Sequence, residues 1–412
     1  MHVAKLQAPC YYFTMIGQHA EYTRNFYATL VERLGAYAPL IQVISGPRQI
    51  GKTTAIKKLI SQMSERSTYI NLDNPGPNPH ERIRFEWNRA IRLNGHKLIV
   101  FDEIQNVSGW ASLLKELYDE ERPKRQTSVA VLGSSALELL LRGEESLLGR
   151  FEIIRAPHWS PDETKEAFGW ELEQFLQFGG YPILGELFKK NSSVESYDRC
   201  QAFLRDAILE PVITRDIFSL QSVANTSLFR QVLKIGLCLP CEEISFAKLL
   251  GQLSEKGSSA TVKNYLELME KAFLIKLLYR YSRGVIVQRT SSPKIVPLAP
   301  ALIHAYADPR RIMEDPSWFG HVYESAVISR FVETGYGLYY WSNSRQDVDL
   351  VVDSGSFLCA VEIKSGQDYD MRGLSAFKTK YPDAKTLLLD RKTGDEFLFC
   401  KDPKEFLTGL LR

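Results

Sequence analysis

A glycine-rich segment ending in lysine and threonine, SGPRQIGKTT, is the first group of residues whose spacing suggests chemistry. Gly46, Gly51, Lys52 and Thr53 fit the pattern G-x-x-x-x-G-K-[ST]. Its glycines let the backbone wrap around a phosphate chain with the N–H groups pointing inward, at a helix N-terminus that favours anions. Lys52 can then reach the β- and γ-phosphates, and the Thr53 hydroxyl can ligate Mg²⁺. The predicted nucleotide-binding residues of this loop are Gly46, Pro47, Arg48, Gln49, Ile50, Gly51, Lys52, Thr53 and Thr54.

Asp102 and Glu103 close an apolar, strand-like segment in HKLIVFDEIQN. A P-loop nucleotide hydrolase needs a carboxylate of this kind on a neighbouring strand to hold magnesium. We therefore predict that Asp102 holds the metal with its water shell and that Glu103 orients and deprotonates the attacking water. Acidic residues often follow strands, so the pair carries weight only in combination with the loop.

The spacing leaves open the roles of four other residues of the first half. Ser134 or Ser135, after the strand-like SVAVLG, is placed to sense the γ-phosphate or to cap the next helix. Arg150, just before another strand-like segment, fits an arginine finger acting across a subunit interface, or a surface salt bridge. Arg48, inside the loop, is available to pair with a structural carboxylate.

A second set of chemical residues lies in DVDLVVDSGSFLCAVEIKSG, residues 347–366. Glu362 and Lys364 are two apart and so share one face of a strand, and Asp349 can meet them from the adjacent strand across a Ser/Gly turn. Two carboxylates suit Mg²⁺ or Mn²⁺, and a neighbouring lysine stabilises charge developing on a phosphodiester. The alternative is a surface salt bridge on a half-exposed sheet. Asp347 lies on the same face as Asp349, and the spacing does not decide between them.

Length and composition place these residues in a multidomain α/β chain. With 412 residues the chain is too long for one core, and 44% hydrophobic with 24% charged residues is typical of soluble globular proteins. A net charge of +2 means that any nucleic-acid contact depends on a local patch. No apolar run approaches the roughly 20 residues that span a bilayer, and the N-terminus lacks the features of a signal peptide. We therefore expect a cytoplasmic protein with no membrane contact.

The elements that must position both sets follow from periodicity. APLIQVISG predicts a strand before the loop, and KTTAIKKLISQM predicts a helix after it. We predict an N-terminal extension over 1–20, a P-loop domain with an α/β/α sandwich over 21–160 and a helical lid over 161–225. A winged-helix-like unit over 226–290 and an α/β domain over 316–412 follow.

The winged-helix prediction rests on three short helical segments followed by the strand-like KLLYRYS and VIVQRT, near a run of basic residues. A basic wing would contact DNA phosphates, whereas an interdomain adaptor with solvated charges is the competing interpretation. The basic residues are Lys276, Arg280, Arg283, Arg289, Lys294, Arg310 and Arg311.

In order and spacing, GPRQIGKTT, INLDNP, LIVFDEIQ, LGSSALELL, SLLGR, FLQFGGYP, VITRDI and VDLVV…VEIKSG resemble the prokaryotic AAA-type ATPases fused to a domain called DUF4143. The resemblance implies that the nucleotide is ATP rather than GTP and that the nucleotide domain is of the ASCE/AAA type. It also implies a C-terminal domain similar to the PD-(D/E)xK, restriction-endonuclease-like nucleases. It favours Asp349 over Asp347. It also places Glu324 where the Holliday-junction-resolvase branch has an extra helix-borne acid. One departure is APHWSPDE, where the family usually has a PLS turn, and this bears on how the lid docks.

Two functions are compatible with these residues. The first is an ATP-hydrolysing protein that acts on DNA, with Glu103, Lys52 and Arg150 serving hydrolysis. In this function Glu324, Asp349, Glu362 and Lys364 serve metal-dependent cleavage. The second is an ATP-regulated switch or oligomerising module whose nuclease-like domain binds DNA or a partner without cutting. The expected cofactors are ATP with Mg²⁺, held by Thr53 and Asp102, and Mg²⁺ or Mn²⁺ at Asp349 and Glu362.

Overall fold

The fold is given by a computed structural model that describes residues 22–63, 66–93, 97–121, 126–134, 147–188, 193–218, 223–245, 249, 251, 258–282, 292–343, 345–366 and 370–411. The predicted N-terminal extension, 1–20, lies outside these residues.

The first half is built on five parallel strands in the order β2-β3-β4-β1-β5. Their bounds are β1 Ile41–Ser45, β2 Ser67–Asn71, β3 Leu98–Asp102, β4 Ser128–Leu132 and β5 Phe151–Arg155. The strands β1, β3 and β4 are buried along their whole length, which is why they appear in the sequence as unbroken apolar runs.

Helices cover both faces of this sheet, as an α/β/α sandwich requires. The helices α1 and α2 pack on one face, and α3 and α4 pack on the other. Their bounds are α1 Tyr27–Leu34, α2 Lys52–Gln62, α3 Pro79–Asn88 and α4 Trp110–Glu121. The strands are parallel, so their carboxyl ends meet at one edge, where a ligand site is expected.

The middle of the chain is helical, as the sequence predicts after Pro161. The helix bounds are α5 Pro161–Phe168, α6 Leu172–Phe178, α7 Pro182–Leu187, α8 Val194–Phe203, α9 Thr226–Cys238 and α10 Ser259–Lys271. Two π-helical segments, Leu204–Leu209 and Val212–Ile217, continue α8 on either side of Pro211. Proline lacks the N–H that an α-helical ladder needs at this position.

The first of the two strands expected to form a wing, KLLYRYS, corresponds to β6 (Ile275–Arg280) and pairs with strands outside the predicted wing. This strand pairs antiparallel with β7 (Lys294–Pro297), and its end runs parallel to the next strand of the C-terminal domain. Both strands therefore belong to a sheet shared with that domain. The segment VIVQRT and most of the second predicted helix lie outside the described residues, so the winged helix stays a prediction.

The second sheet has six strands in the order β11-β10-β9-β8-β6-β7. Its remaining strands are β8 Gly337–Ser342, β9 Asp347–Asp353, β10 Leu358–Ile363 and β11 Lys385–Leu389. The remaining helices are α11 Pro300–His304, α12 Arg311–Glu314, α13 Pro316–Glu333, α14 Arg372–Lys380, α15 Arg391–Leu398 and α16 Pro403–Leu410. The helices α13, α15 and α16 share one apolar core with the sheet, and α14 packs into a separate one.

A buried arginine joins this domain to the first half. Arg330 on α13 lies 3.7 Å from Asp162 and 2.6 Å from Glu333, and it donates to the carbonyl of Cys400. Its side chain is 3% exposed. Removing one member of such a buried pair typically costs about 3–5 kcal/mol, because it leaves the other charges unpaired. Since Asp162 begins α5, the two halves are held together at the start of the lid.

Candidate functional sites

The predicted phosphate-binding loop follows β1 and leads into α2, as the sequence indicates. Gly51 precedes the helix with φ of 96°, and no side chain caps the helix, which leaves its first N–H groups available to an anion. At Gly46, a Cβ atom would lie 2.0 Å from the carbonyl oxygen of Ala156, so only glycine fits between β1 and β5. Of the other loop residues, Pro47 and Ile50 are buried, while Gln49 and Thr54 are exposed.

Lys52 lies at the centre of the loop and is buried. Its ammonium donates to the carbonyl oxygen of Gly46 at 2.9 Å and to that of Pro47. Burial lowers its pKa to about 8, and the nearby carboxylates of Glu103 and Asp102 only partly oppose this. The side chain is thus held inside the cradle by the backbone that would surround a phosphate chain.

Thr53 and Asp102 meet as a magnesium site requires. The Thr53 hydroxyl donates to Asp102 Oδ2 at 2.8 Å, and the Glu103 backbone N–H donates to Oδ1 at 3.0 Å. The Tyr69 hydroxyl, which the sequence did not single out, also donates to Asp102. A hydroxyl next to a carboxylate is an oxygen donor set of the kind that Mg²⁺ prefers, so these residues fit the ion.

Glu103 occupies a left-handed backbone conformation, with φ of 56°, directly after β3. Burial raises the pKa of its carboxyl group, and the positive charge of Arg48 opposes that shift. Gln105 donates from Nε2 to Glu103 and lies 3.5 Å from the Ser134 hydroxyl, so it bridges the predicted base and the predicted sensor. Neither Gln105 nor Tyr69 has a sequence signal beyond its proximity to the motif.

The predicted carboxylate partner of Arg48 is Asp216. Arg48 Nε lies 2.9 Å from both carboxylate oxygens of Asp216, and its NH2 group makes a third contact. Asp216 is fully buried and also accepts a hydrogen bond from the Ser134 hydroxyl at 3.1 Å. It belongs to the segment VITRDI, 168 residues after the loop arginine. Ser135, the alternative sensor, lies outside the described residues.

Arg150 forms a surface ion pair within its own chain. Its Nε and NH2 groups each lie 2.8 Å from a carboxylate oxygen of Asp119 on α4. The alternative of a surface salt bridge is therefore the arrangement that this structure contains. A role in trans stays a prediction.

The region APHWSPDE docks the lid through its own contacts. The Trp159 indole N–H donates to the carbonyl of Ile50 at 3.1 Å, and the buried Arg24 guanidinium donates to the same carbonyl. Arg24 also pairs with Glu163 at 2.8 Å, in the first turn of α5. The departure from the family pattern thus places a tryptophan against the phosphate-binding loop.

The C-terminal candidates converge. Asp349 and Glu362 face each other one step along the β9–β10 ladder from the pair Leu350–Val361. The Lys364 ammonium lies 2.7 Å from Glu362 Oε1 and 3.8 Å from Asp349 Oδ2. The backbone N–H of Ile363 donates to Asp349 at 2.9 Å. Asp349 makes two of these contacts, with Lys364 and with the Ile363 N–H, and among the described residues no ion pair or hydrogen bond joins Asp347 to Glu362 or Lys364.

Glu324 and an unpredicted lysine complete this group, which we call the acid–lysine cluster: Lys294, Glu324, Asp349, Glu362 and Lys364. Lys294 on β7 lies 3.7 Å from Glu324 Oε1. Burial and then Asp349 raise the Glu324 pKa to about 8, and the same two causes raise the Glu362 pKa to about 7. Burial lowers the pKa of Lys294, but Glu324 and Asp349 outweigh it, and its pKa is raised.

The cluster fits a cation in charge and donor type but is not arranged as a metal centre. Glu324 Oε1 and Glu362 Oε2 are buried without a hydrogen-bond partner. Across the described ranges, however, no three His, Cys, Asp or Glu residues are grouped so as to hold a metal ion. In this structure the cation beside Asp349 and Glu362 is the ammonium of Lys364.

The basic run does not form a row of unpaired cations where it is described. Lys276 pairs with Glu270, Lys294 with Glu324, Arg310 with Asp308 and Arg311 with Asp315. Arg283 and Arg289 lie outside the described residues. Lys294, which was assigned to the basic wing, is instead buried in the acid–lysine cluster.

Comparison with known proteins matches three parts of the chain to family models. Residues 39–165 match the family model of an AAA domain, AAA_14. Residues 169–310 match a domain of unknown function, DUF8612, and residues 319–402 match DUF4143. With the loop geometry above, these matches support an AAA-type P-loop domain followed, near the C-terminal end of the chain, by a DUF4143 domain. In the part of the chain that the structure describes, no helix is long and apolar enough to cross a membrane.

Several whole proteins are similar over much of this length. The uncharacterized proteins Mb2031c of Mycobacterium bovis and Rv2008c of Mycobacterium tuberculosis are each 24% identical over 356 residues, covering 83% of this chain and 76% of theirs. The uncharacterized protein MJ1544 of Methanocaldococcus jannaschii is 26% identical over 269 residues, covering 59% of this chain and 57% of its own.

Similar solved structures include the Thermotoga maritima RuvB Holliday junction branch migration motor, with a TM-score of 0.33 and 16% identity, covering 63% of this chain and 90% of that one. A DNA replication initiation factor has a TM-score of 0.27 and 14% identity, covering 60% of this chain and 86% of that one. Scores this low carry no argument about the activity of this chain.

The lowered pKa of Lys52 predicts proton uptake on nucleotide binding. Bound phosphates raise the pKa of a neighbouring ammonium, so Lys52, with a pKa of about 8 before binding, will gain a proton when ATP binds above that pH. At about pH 8.5 the expected uptake is roughly 0.8 proton per site, and at about pH 7 it is roughly 0.1. Titration calorimetry in buffers of different ionisation enthalpy measures this number. Tight MgATP binding without proton uptake at the higher pH would contradict the assignment of Lys52 to the bound phosphates.

Proposed function

We propose that this protein hydrolyses ATP at its P-loop and uses that cycle to control the action of its C-terminal domain on DNA. The observation that carries the hydrolytic part is the meeting of four predicted groups at one edge of the first sheet. Lys52 and Thr53 begin α2, whereas Asp102 ends β3 and Glu103 directly follows it. The Thr53 hydroxyl touches the Asp102 carboxylate at 2.8 Å.

Each group has one task in this proposal. Lys52 neutralises charge on the terminal phosphates, and the loop N–H groups hold them at the start of α2. Thr53 and Asp102 hold Mg²⁺, which, when bound with ATP, draws charge from the phosphate oxygens. Glu103 accepts a proton from the attacking water, and its raised pKa makes it a stronger base than an exposed carboxylate. Arg150 serves, in the same proposal, as an arginine finger toward a neighbouring subunit.

The C-terminal proposal rests on the acid–lysine cluster. Asp349 and Glu362 would hold Mg²⁺ or Mn²⁺, and Lys364 would stabilise charge on a phosphodiester undergoing cleavage. The two partnerless carboxylate oxygens, on Glu324 and Glu362, support a cation in addition to the two lysines. A bound metal supplies an activated water to the reaction.

A second function is favoured by a specific contact. Lys364 already pairs with Glu362 Oε1 at 2.7 Å and lies 3.8 Å from Asp349, so a positive charge stands beside both carboxylates without a metal. A domain that keeps this arrangement would bind DNA or a partner without cutting, and ATP would act as a switch. The two functions share the P-loop chemistry and differ only in the acid–lysine cluster.

The ATPase assignment predicts different defects for two variants. Lys52→Ala removes the buried charge that faces the phosphates, so tight ATP binding should be lost. Glu103→Gln keeps the shape but cannot accept a proton, so ATP binding should persist while turnover falls by about 10²–10⁴-fold. Equilibrium binding of a fluorescent ATP analogue and steady-state phosphate release measure the two effects. Lys165→Ala, at an exposed pair with Glu171, is the control. Turnover that survives both changes would remove this site from the mechanism.

The cluster predicts metal binding that strengthens with pH. Glu362 and Glu324, with pKa values raised to about 7 and about 8, hold protons below those values, and a divalent ion must displace them. Mn²⁺ affinity of the full chain without nucleotide should therefore rise from about pH 6 to about pH 8. Asp349→Ala or Glu362→Ala should remove this binding, and Asp353→Ala on the same strand should not. Calorimetric titration with Mn²⁺ measures it.

Cleavage separates the two candidate functions. Linear, nicked and four-way-junction DNA are incubated with Mg²⁺ or Mn²⁺, with and without ATP. Lys364→Ala is expected to keep metal but lose cleavage, since the lysine acts on the phosphodiester. DNA binding by the wild type without cleavage on any substrate would favour the switch. Mn²⁺ binding that ignores both carboxylate changes would exclude the metal site in either form.

A further inference from the structure

The loop arginine is held by the middle of the chain rather than by the nucleotide domain. Arg48 presents its guanidinium to Asp216 with Nε at 2.9 Å from each carboxylate oxygen. Asp216 is fully buried, so this is a charge-assisted pair in a shielded environment and not a surface salt bridge. Nothing in the phosphate-binding pattern requires a partner for this residue 168 positions away.

The same carboxylate reaches the catalytic residues by a second route. The Ser134 hydroxyl donates to Asp216 at 3.1 Å, and Gln105 links Ser134 to Glu103. Asp216 therefore contacts one residue of the phosphate-binding loop and one residue after β4. Arg48 also lies close enough to Glu103 to lower its pKa.

The element that carries Asp216 is irregular where it meets the loop. Asp216 lies in the π-helical segment Val212–Ile217, and Gln49 donates to the Ala207 carbonyl, at 3.0 Å, in the preceding π-helical segment. Two consecutive loop residues thus contact two consecutive π-helical segments. Such segments are rare and frequently occur at functional sites, because their looser hydrogen bonding allows small shifts of register.

An earlier part of the same helix contacts the segment that leads to the C-terminal domain. Gln201 donates to the carbonyls of His304 and Ala307, each at 2.8 Å, and Arg205 donates to that of Ala305 at 2.9 Å. These carbonyls lie at the end of α11 or just after it, and they precede α13, the helix that carries Glu324. One helix therefore joins the phosphate-binding loop to the segment leading to the acid–lysine cluster.

We propose that Asp216 is a positioning residue that makes the site respond to the γ-phosphate of ATP. It orients Arg48 and Ser134, whose donor groups are shared between the carboxylate and the terminal phosphate when ATP is bound. Guanidinium has five N–H donors, so Arg48 can keep part of its pair while it contacts a phosphate oxygen. ADP lacks the γ-phosphate, which competes with Asp216 for these donor groups. The contacts of the helix Val194–Ile217 with the site therefore differ between the ATP-bound and ADP-bound states. This inference rests on ATP binding at the P-loop.

The test is the preference of the full chain for ATP over ADP. Equilibrium dissociation constants for both nucleotides with Mg²⁺ are measured for the wild type, Asp216→Asn and the control Asp206→Asn, an exposed acid on the same helix. Asp216→Asn should lower the ATP-to-ADP affinity ratio about tenfold, which corresponds to about 1.4 kcal/mol, and leave ADP affinity within about twofold. The control should keep the wild-type ratio. Arg48→Lys, which retains the charge but loses the fork, should behave like Asp216→Asn.

Each outcome decides the matter. An unchanged ratio in Asp216→Asn, or equal losses for ATP and ADP, would overturn the inference and leave the ATPase assignment intact. If the melting temperature shows that Asp216→Asn does not fold, the ATP-to-ADP affinity ratio of Arg48→Lys tests the inference by itself, and an unchanged ratio overturns it. A wild type that binds neither nucleotide would overturn the proposed function, and with it this inference.

Discussion

The phosphate-binding loop must present its own N–H groups inward, and the surrounding structure depends on that requirement. A loop in this shape cannot use its N–H groups for secondary structure, so neighbouring side chains have to hold its carbonyls in place. Arg24 and Trp159 hold the Ile50 carbonyl, and Lys52 holds those of Gly46 and Pro47. Arg24 precedes the strands of the first sheet in the sequence, Trp159 follows them, and Lys52 belongs to the loop itself. Folding the cradle therefore brings α1, the lid and β1 together.

The same junction connects the two halves. In the first turn of α5, Glu163 pairs with Arg24 on the loop side, and its neighbour Asp162 lies 3.7 Å from Arg330 of the C-terminal domain. These are buried charges, which persist only when their partners are kept in place. The first turn of α5 thus contacts both Arg24, which binds the phosphate-binding loop, and Arg330 of α13.

The sequence was sufficient wherever a local pattern carries its own physical cause. The glycine spacing and the apolar run ending in Asp102 predicted the loop, β1, β3 and the contact between Thr53 and Asp102. Alternation predicted that Asp349, Glu362 and Lys364 share a face. Local patterns did not predict the strand β2, because its sequence STYIN is half polar. They also did not predict which strands β6 pairs with, since its pairing with β7 and with the more distant β8 is decided only in the folded sheet. Lys294 appeared as one more basic residue, because only the folded sheet brings it to Glu324.

The most direct test asks whether the helix Val194–Ile217 responds to the bound nucleotide. Amide hydrogen–deuterium exchange is measured along the full chain of the Glu103→Gln variant with MgATP, with MgADP and without nucleotide. ATP is predicted to change exchange both in residues 46–53 and in Val212–Ile217, whereas ADP changes only the loop. The second change should disappear when Asp216→Asn is added. Protection by ATP that is confined to the loop, with Val212–Ile217 the same in all three states, would contradict the account.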